Sequence, residues 1–372
     1  MKLKPFLLER YFAQHEFSAR YLLSSSDCDG LAMADLLQLA TREELGLWNK
    51  LTLGYTESSG WPRLREAIAK EYQTVSPDEV LVMSPGEANF IAMNVLLEKS
   101  DHVICVGPAY QSLYEVVYGI GCEVSFWNPQ ADAHGWHYQP DDLFSLLRTN
   151  TRLVIINFPH NPTGSLLTHA DYKKIIHWAD AHDLILFSDE MYRGLEHQEG
   201  DRLAAMCDVY SRGISLGGMA KTYALAGLRL GWVVIRDPQL REQAASYKDY
   251  LTICSSAPSE VLSWIGLNHQ KPIIAANLAK IQSNVQLFKS FCERFPSVFT
   301  FIPPKAGSTA FVRLNLPEPA MQFSNRLVNE TGIMTLPSEM FAFGDRHLRI
   351  GFGRKNMKEV LDVLSDYLNT RI

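Results

Sequence analysis

Leu153-Val154-Ile155-Ile156-Asn157-Phe158-Pro159-His160-Asn161-Pro162-Thr163-Gly164 is an apolar run that stops abruptly in a turn built of asparagine, proline and glycine. Residues that are apolar at successive positions, rather than at every second one, suit a strand covered on both faces. A second run of this kind, Leu184-Ile185-Leu186-Phe187, ends in Ser188-Asp189-Glu190-Met191-Tyr192. Working outward, further strand candidates are Val80–Met83, His102–Val106, Glu123–Trp127, Gly213–Leu216 and Leu230–Ile235. Amphipathic stretches lie between them, at Ala88–Glu98, Tyr110–Tyr118 and His169–His182. This alternation predicts an α/β domain around a mostly parallel sheet. Functional residues of such sheets gather at the carboxyl ends of the strands.

After Pro258 the texture changes. Ser259 to Phe295 reads as a long helix broken near Lys271-Pro272, followed by strand candidates Thr309–Leu314 and His347–Ile350. Helical patterns fall around Ala320–Glu330 and Asn356–Leu368. The expected organisation is a large α/β domain over 31–258, with a smaller α+β domain formed by 1–30 and 259–372 and its connecting helix.

Composition narrows the functional classes. With 372 residues, 47% of them hydrophobic, the chain can bury a sizeable core. A net charge of −6 gives no electrostatic reason to expect nucleic acid or an anionic membrane as partner. Six cysteines at 28, 105, 122, 207, 254 and 292 form no C-x-x-C pair. That argues against a disulfide framework or a zinc site and for a reducing cytoplasm. Near the start, Glu9 and Arg10 end the apolar run Pro5-Phe6-Leu7-Leu8, so Met1 to Phe17 reads as a short amphipathic helix rather than an export signal. No apolar run approaches the length of a membrane span.

Four segments carry chemistry. Lys221 follows Ser215-Leu216-Gly217-Gly218-Met219-Ala220 directly after a predicted strand, with Gly227, Arg229 and Gly231 downstream. A lone lysine is commonly a solvated surface charge; one that forms a Schiff base must sit on a fixed element in a partly desolvated pocket. Asn161 lies in the turn after the first buried strand, where it either serves the turn or faces a ligand. Asp189 closes the second buried strand, where an unpaired carboxylate would cost several kcal/mol. A cationic ring nitrogen would satisfy it, and a helix N-cap is the plainer alternative. Met83-Ser84-Pro85-Gly86-Glu87-Ala88-Asn89 is a strand-to-helix turn whose backbone N–H groups could hold an anion.

In this order the four segments resemble the class I and II aminotransferases of the fold type I, pyridoxal-phosphate-dependent kind. Gly54-Tyr55-Thr56-Glu57-Ser58-Ser59-Gly60 with Leu64-Arg65 is similar to the family's upstream tyrosine motif, and His347-Leu348-Arg349-Ile350-Gly351-Phe352 to its C-terminal arginine motif. The resemblance runs from about residue 30 to the C-terminus. It implies pyridoxal 5′-phosphate as cofactor, an amino acid and a 2-oxo acid as substrates, and a homodimer. It implies that Lys221 binds the cofactor and carries a proton. Asp189 would pair with the ring nitrogen, while Asn161 and Tyr192 would meet the ring's phenolic oxygen. Tyr110 would stack on the ring. Gly86, Glu87 and Ala88 would cradle the phosphate through backbone amides, with Arg229 pairing to it and Tyr55 reaching the neighbouring subunit's phosphate. Arg349 would clamp the substrate α-carboxylate.

The sequence departs from the family where hydroxyls often precede the lysine, since Gly218 and Ala220 stand there; Ser215 and Thr222 are the nearby hydroxyls that could compensate. The strings Asn157–Pro162, Lys248–Thr252 and Gly307–Phe311 resemble the capreomycidine-synthase branch of the family, which cyclises a hydroxylated arginine. Asp249, between Tyr247 and Tyr250, is accordingly expected to meet a cationic substrate side chain. Three functions therefore compete. The first is transamination of an amino acid, with arginine-like ones preferred. The second is cyclisation or elimination on the same cofactor, and the third is a non-catalytic ligand-sensing domain. No basic helix-turn-helix precedes residue 30 to favour the last.

Overall fold

The computed structural model describes residues 1–132 and 135–371. Seven strands form its main sheet: β1 (Val80–Met83), β2 (His102–Val106), β3 (Glu123–Trp127), β4 (Thr151–Asn157), β5 (Ile185–Asp189), β6 (Gly213–Gly218) and β7 (Gly231–Val234). Their spatial order is β1-β7-β6-β5-β4-β2-β3. The neighbours β3, β2, β4, β5 and β6 run parallel, whereas β7 is antiparallel to both β6 and β1. The strands β1, β2, β5, β6 and β7 are buried at every position, as their continuous apolar reading predicts. In register, Asn157 lies beside Asp189 and Asp189 beside Leu216, so β4 and β5 finish level and β6 runs two residues further.

Helix α1 (Leu7–His15) is the amphipathic segment expected at the start. Helix α2 (Pro85–Leu96) begins three residues before Ala88, because Ser84 caps it and Pro85 occupies its first turn. Tyr110 lies outside the following helix, α3, which spans Ser112–Ile120. The long helix breaks at His269, between Ala257–Asn268 and Gln270–Arg294, rather than at Lys271-Pro272. Pro272 sits in the first turn of the second piece, where an N–H would have no intrahelical acceptor and its loss costs little.

A second, antiparallel sheet holds Phe299–Thr300, Thr309–Leu314, His347–Gly351 and Leu336–Pro337, in that spatial order. The N-terminal stretch joins this part of the molecule. Tyr21–Leu22 pairs in parallel with Ile333–Met334, and Gly351 N–H donates to Leu23 O at 2.8 Å. Residues 23–27 then lie flush against the chain at 351–353. A Cβ on Gly351 would fall 1.8 Å from Ser25 O, and one on Gly353 would fall 2.4 Å from Asp27 O. Glycine at both positions permits this approach. Among the described residues no helix is long and apolar enough to cross a membrane.

Candidate active site

The carboxyl ends of β4, β5 and β6 open onto a cavity of about 500 Å³. Gly86, Tyr110, Asn161, Asp189, Tyr192, Lys221, Arg229 and Arg349 all line it, together with Asn89, Asn157, Ser26 and one face of α1. Residues separated by more than three hundred positions in sequence thus share one chamber.

Asp189 is buried, 8% exposed, its Oδ1 accepting from Met191 N–H at 3.2 Å. Burial pushes its carboxyl up to about 6, and the neighbouring Glu190 adds to the rise, while the Met191 bond and Lys221 oppose it. Asn157 ties this strand end to the next turn. Its Nδ2 donates to Asp189 O at 2.9 Å, and its Oδ1 accepts from Asn161 N–H at 2.9 Å. Asn161 in turn accepts from Arg349 Nη1 at 3.2 Å.

Arg349 is 2% exposed, and its Nε and Nη2 both donate to Ser24 O, at 3.2 and 3.0 Å. Three of a guanidinium's five N–H groups are thereby used, which leaves one on each terminal nitrogen for a bidentate partner. Phe12 and Phe341 stand 5.8 and 5.6 Å from the guanidinium carbon. Burial lowers the Arg349 pKa from its ordinary value. Lys221 Nζ donates to Ser26 Oγ at 2.8 Å, and Ser26 O is held by Ser308 Oγ at 2.6 Å.

Pyridoxal phosphate can be tested against these groups. Among the described residues, the Tyr192 hydroxyl and Asn89 Oδ1, on residues 4% and 3% exposed, are buried without a hydrogen-bond partner. Both line the cavity. Asp189 forms no salt bridge to a cation among the described residues, and a protonated ring nitrogen would supply one. A phenolic oxygen would complete Tyr192, and a phosphate suits Arg229 beside the start of α2. The donor set fits the group.

The structure refines the phosphate end. Glu87 N–H already donates to Ser84 Oγ at 3.3 Å, and Ala88 N–H donates to Ser84 O at 2.9 Å. Of the three expected amides only that of Gly86 is left without an acceptor among the described residues, because the helix consumes the others. Nor do the nearby hydroxyls compensate for Gly218 and Ala220. Ser215 Oγ bonds Glu190 Oε1, and Thr222 Oγ1 bonds Arg193 O, both at 2.9 Å. Arg229 adopts a left-handed backbone, φ 52°, and its Nη1 donates to Ala226 O at 2.9 Å.

Glu87 and Ala88 are not in the chamber's lining, and two more expected residues lie outside it within this chain. Tyr55 is 89% exposed. Asp249 is exposed at the end of the helix Pro238–Asp249, its Oδ1 accepting from Ser58 Oγ at 3.1 Å. The side chain that turns inward there is Lys248, whose Nζ donates to Ser58 O and Ile253 O at 2.8 and 2.6 Å. Burial lowers the Lys248 pKa. The missed residues are Ser24, Ser26, Glu9, Glu16 and Asp27, all in the N-terminal stretch. Their one sequence signal is the polar run Ser24-Ser25-Ser26-Asp27 set between apolar neighbours.

Comparison with known proteins agrees with this geometry. The chain is 29% identical over 373 residues to the capreomycidine synthase of Streptomyces vinaceus, covering 98% of this chain and 93% of that protein. It is 32% identical over 190 residues to an arginine–pyruvate transaminase of Pseudomonas aeruginosa, covering 48% of this chain and 47% of that protein. A crystal structure of a pyridoxal-phosphate-dependent aminotransferase from Streptococcus suis superposes with a TM-score of 0.92 at 28% identity, over 100% of this chain and 99% of that one. The family model for aminotransferase class I and II matches residues 21–364, and the chain belongs to that family of pyridoxal-phosphate-dependent aminotransferases.

Proposed function

We propose that this enzyme moves the amino group of a basic, arginine-like amino acid to a 2-oxo acid. The observation that carries the reaction is the convergence of Lys221, Asp189 and Arg349 on one chamber. Similarity to a capreomycidine synthase and to an arginine–pyruvate transaminase supports the substrate class.

Bound pyridoxal phosphate supplies an electron sink next to the substrate's α-carbon. Lys221 carries the amine that would attach the cofactor and would move the α-proton. Asp189, a buried carboxylate, would keep a proton on the ring nitrogen. Asn161 and Tyr192 would serve the phenolic oxygen, and Tyr110 the ring face. Arg229 and the Gly86 amide would hold the phosphate, while the free edge of Arg349 would orient the α-carboxylate. Phe12 and Tyr110 give the chamber part of its apolar lining.

A division into a large domain over 31–258 and a small one over 1–30 and 259–372 follows the two sheets. A homodimer would bury the exposed apolar residues Leu53, Tyr55, Tyr250 and Leu251 and bring Tyr55 towards the partner's phosphate. A cytoplasmic setting suits six free cysteines, five of them buried. A second reading, cyclisation of a hydroxylated arginine-like amino acid, is favoured by the near full-length similarity to a capreomycidine synthase.

The test is a panel of amino acids added to the loaded enzyme, followed by the cofactor's absorbance. Accumulation of the pyridoxamine form with release of a 2-oxo acid supports transamination. Ammonia or a ring-closed product with the cofactor unchanged would replace it with the second reading.

A further inference from the structure

We propose that Glu16, flanked by Glu9 and Asp27, forms a subsite for the cationic end of the substrate side chain, a guanidinium or a primary ammonium. This deepens the proposed function and rests on its assignment of the chamber to an amino acid substrate.

Helix α1 turns one face to the chamber. Leu8, Glu9, Phe12 and Glu16 all line it, with Asp27 in the bend that follows Ser24-Ser25. Residues 8, 9 and 12 share one face of α1, and Glu16, its C-cap, continues that face in helical backbone. Carboxylates at a helix end are ordinarily solvated; Glu9 and Glu16 instead line a cavity wall.

The chamber's charges do not balance by themselves. Its cations are Lys221, Arg229 and Arg349, and each has a task at the cofactor or the α-carboxylate. Asp189 faces the ring nitrogen in the same reading. Asp27 is paired with Arg354 at 3.1 Å. Glu9 spends one oxygen on the Tyr110 hydroxyl at 2.6 Å, which also ties α1 to the ring-stacking residue. Neither Glu9 nor Glu16 forms an ion pair among the described residues, and no hydrogen bond reaches the Glu16 carboxylate there. With the cofactor and α-carboxylate provided for, the side-chain end of the chamber is left with unmatched negative charge.

Two further observations support a ligand here. Asn89 Oδ1, buried without a hydrogen-bond partner among the described residues and given no cofactor group above, lines the same chamber, so the chamber takes a polar group besides the cofactor. The Glu16 carboxyl is also held above its usual range, by burial first and then by the charges of Asp27 and Glu9, with Arg354 and Lys221 opposing. A cation at this point removes that repulsion; a substrate carboxylate adds to it. The subsite therefore selects basic side chains and rejects acidic ones.

The experiment titrates the loaded enzyme with L-arginine, L-norvaline and L-glutamate. It reads the dissociation constant from the cofactor's absorbance change, which registers binding whatever reaction follows. Wild type should bind arginine at least tenfold more tightly than norvaline, and this ratio should fall as salt is raised. Glu16→Gln should cut the arginine-to-norvaline ratio about tenfold, and Glu16→Lys should shift preference towards glutamate. A wild-type ratio near one, or a ratio unchanged by salt and by Glu16→Gln, would overturn the subsite. An enzyme that prefers arginine in this way but releases ammonia or a ring-closed product sinks transamination and leaves the subsite standing. One that transaminates norvaline and arginine equally does the reverse.

Discussion

Lys221 Nζ and Ser26 Oγ meet at 2.8 Å across 195 residues of sequence. The hydroxyl stands at the end of a segment clamped by Ser308 and by the glycines at 351 and 353. The Lys221 amine therefore rests on the N-terminal stretch rather than on its own sheet. Ser26→Ala should leave cofactor attachment intact, because the amine itself is untouched. The amine loses one acceptor, so turnover should fall about three- to tenfold, the range of one net hydrogen bond. Single-turnover kinetics check this; an unchanged rate would assign Ser26 to packing alone.

Lys221→Ala should abolish turnover, since attachment and proton transfer disappear together. Borohydride reduction of the loaded wild type should fix the cofactor on the peptide carrying Lys221. Peptide mapping decides it, and label on any other lysine would move the site.

The Asp189 carboxyl gives a pH signature. In the folded protein without cofactor its pKa is raised from 3.8 to about 6, chiefly by burial. The folded state thus holds this proton more tightly than the unfolded chain does. The stability it contributes is full below the unfolded value and is lost as pH rises through about 6. The difference in unfolding free energy between wild type and Asp189→Asn should therefore change across this window by at most about 3 kcal/mol. Urea melts of the cofactor-free proteins between pH 4 and pH 7 measure it. Cofactor binding should reverse the slope for wild type, because a ring N–H favours the charged carboxylate. The variant should bind cofactor yet lose most activity, as a neutral ring accepts electrons poorly.

The main sheet was legible because both faces of its strands are covered, and such strands leave continuous apolar runs. All seven candidate strands form, with ends shifted by no more than two residues. The direction of Gly231–Val234 was not legible, since an antiparallel strand buried on both faces reads like a parallel one. At the site, Asp189 was singled out because it ends such a run, and Asn161 because it lies in the turn that follows one. Ser24, Ser26 and Glu16 were not, because their contacts lie far along the chain and carry no local period. Asp249 was singled out on a different signal, and within this chain it lies outside the chamber. Its aromatic neighbours suggested a pocket for a cation, yet Tyr250 is 91% exposed and the buried side chain of the pair is Lys248.

Arg349→Lys should raise KM for every amino acid donor. The guanidinium offers a remaining N–H on each terminal nitrogen while holding Ser24 O and Asn161. An ammonium has three donors and no fork, so it cannot hold both partners and grip a carboxylate. Losing a hydrogen bond to a charged group is worth about 1.5–3 kcal/mol, or roughly ten- to a hundredfold in KM. Steady-state kinetics with norvaline, arginine and glutamate test it. A rise for only one of them would mean that Arg349 reads a side chain instead.

Gly351→Ala examines how the N-terminal segment is held. The added Cβ would fall 1.8 Å from Ser25 O and 2.8 Å from the Ser25 carbonyl carbon. Both are backbone atoms, so no rotamer change relieves the clash and residues 24–26 must move. Ser24 O would withdraw from Arg349, and Ser26 Oγ from Lys221. One methyl group outside the cavity's lining should therefore disturb both the α-carboxylate grip and the lysine's resting contact. The expected result is a destabilised but folded protein, with overpacking costing about 1–3 kcal/mol. KM should rise and turnover fall together, unlike Ser26→Ala, which should lower turnover alone. A thermal melt with steady-state kinetics on both variants separates the two. Wild-type kinetics in Gly351→Ala would show that the segment can shift without carrying the active-site residues with it.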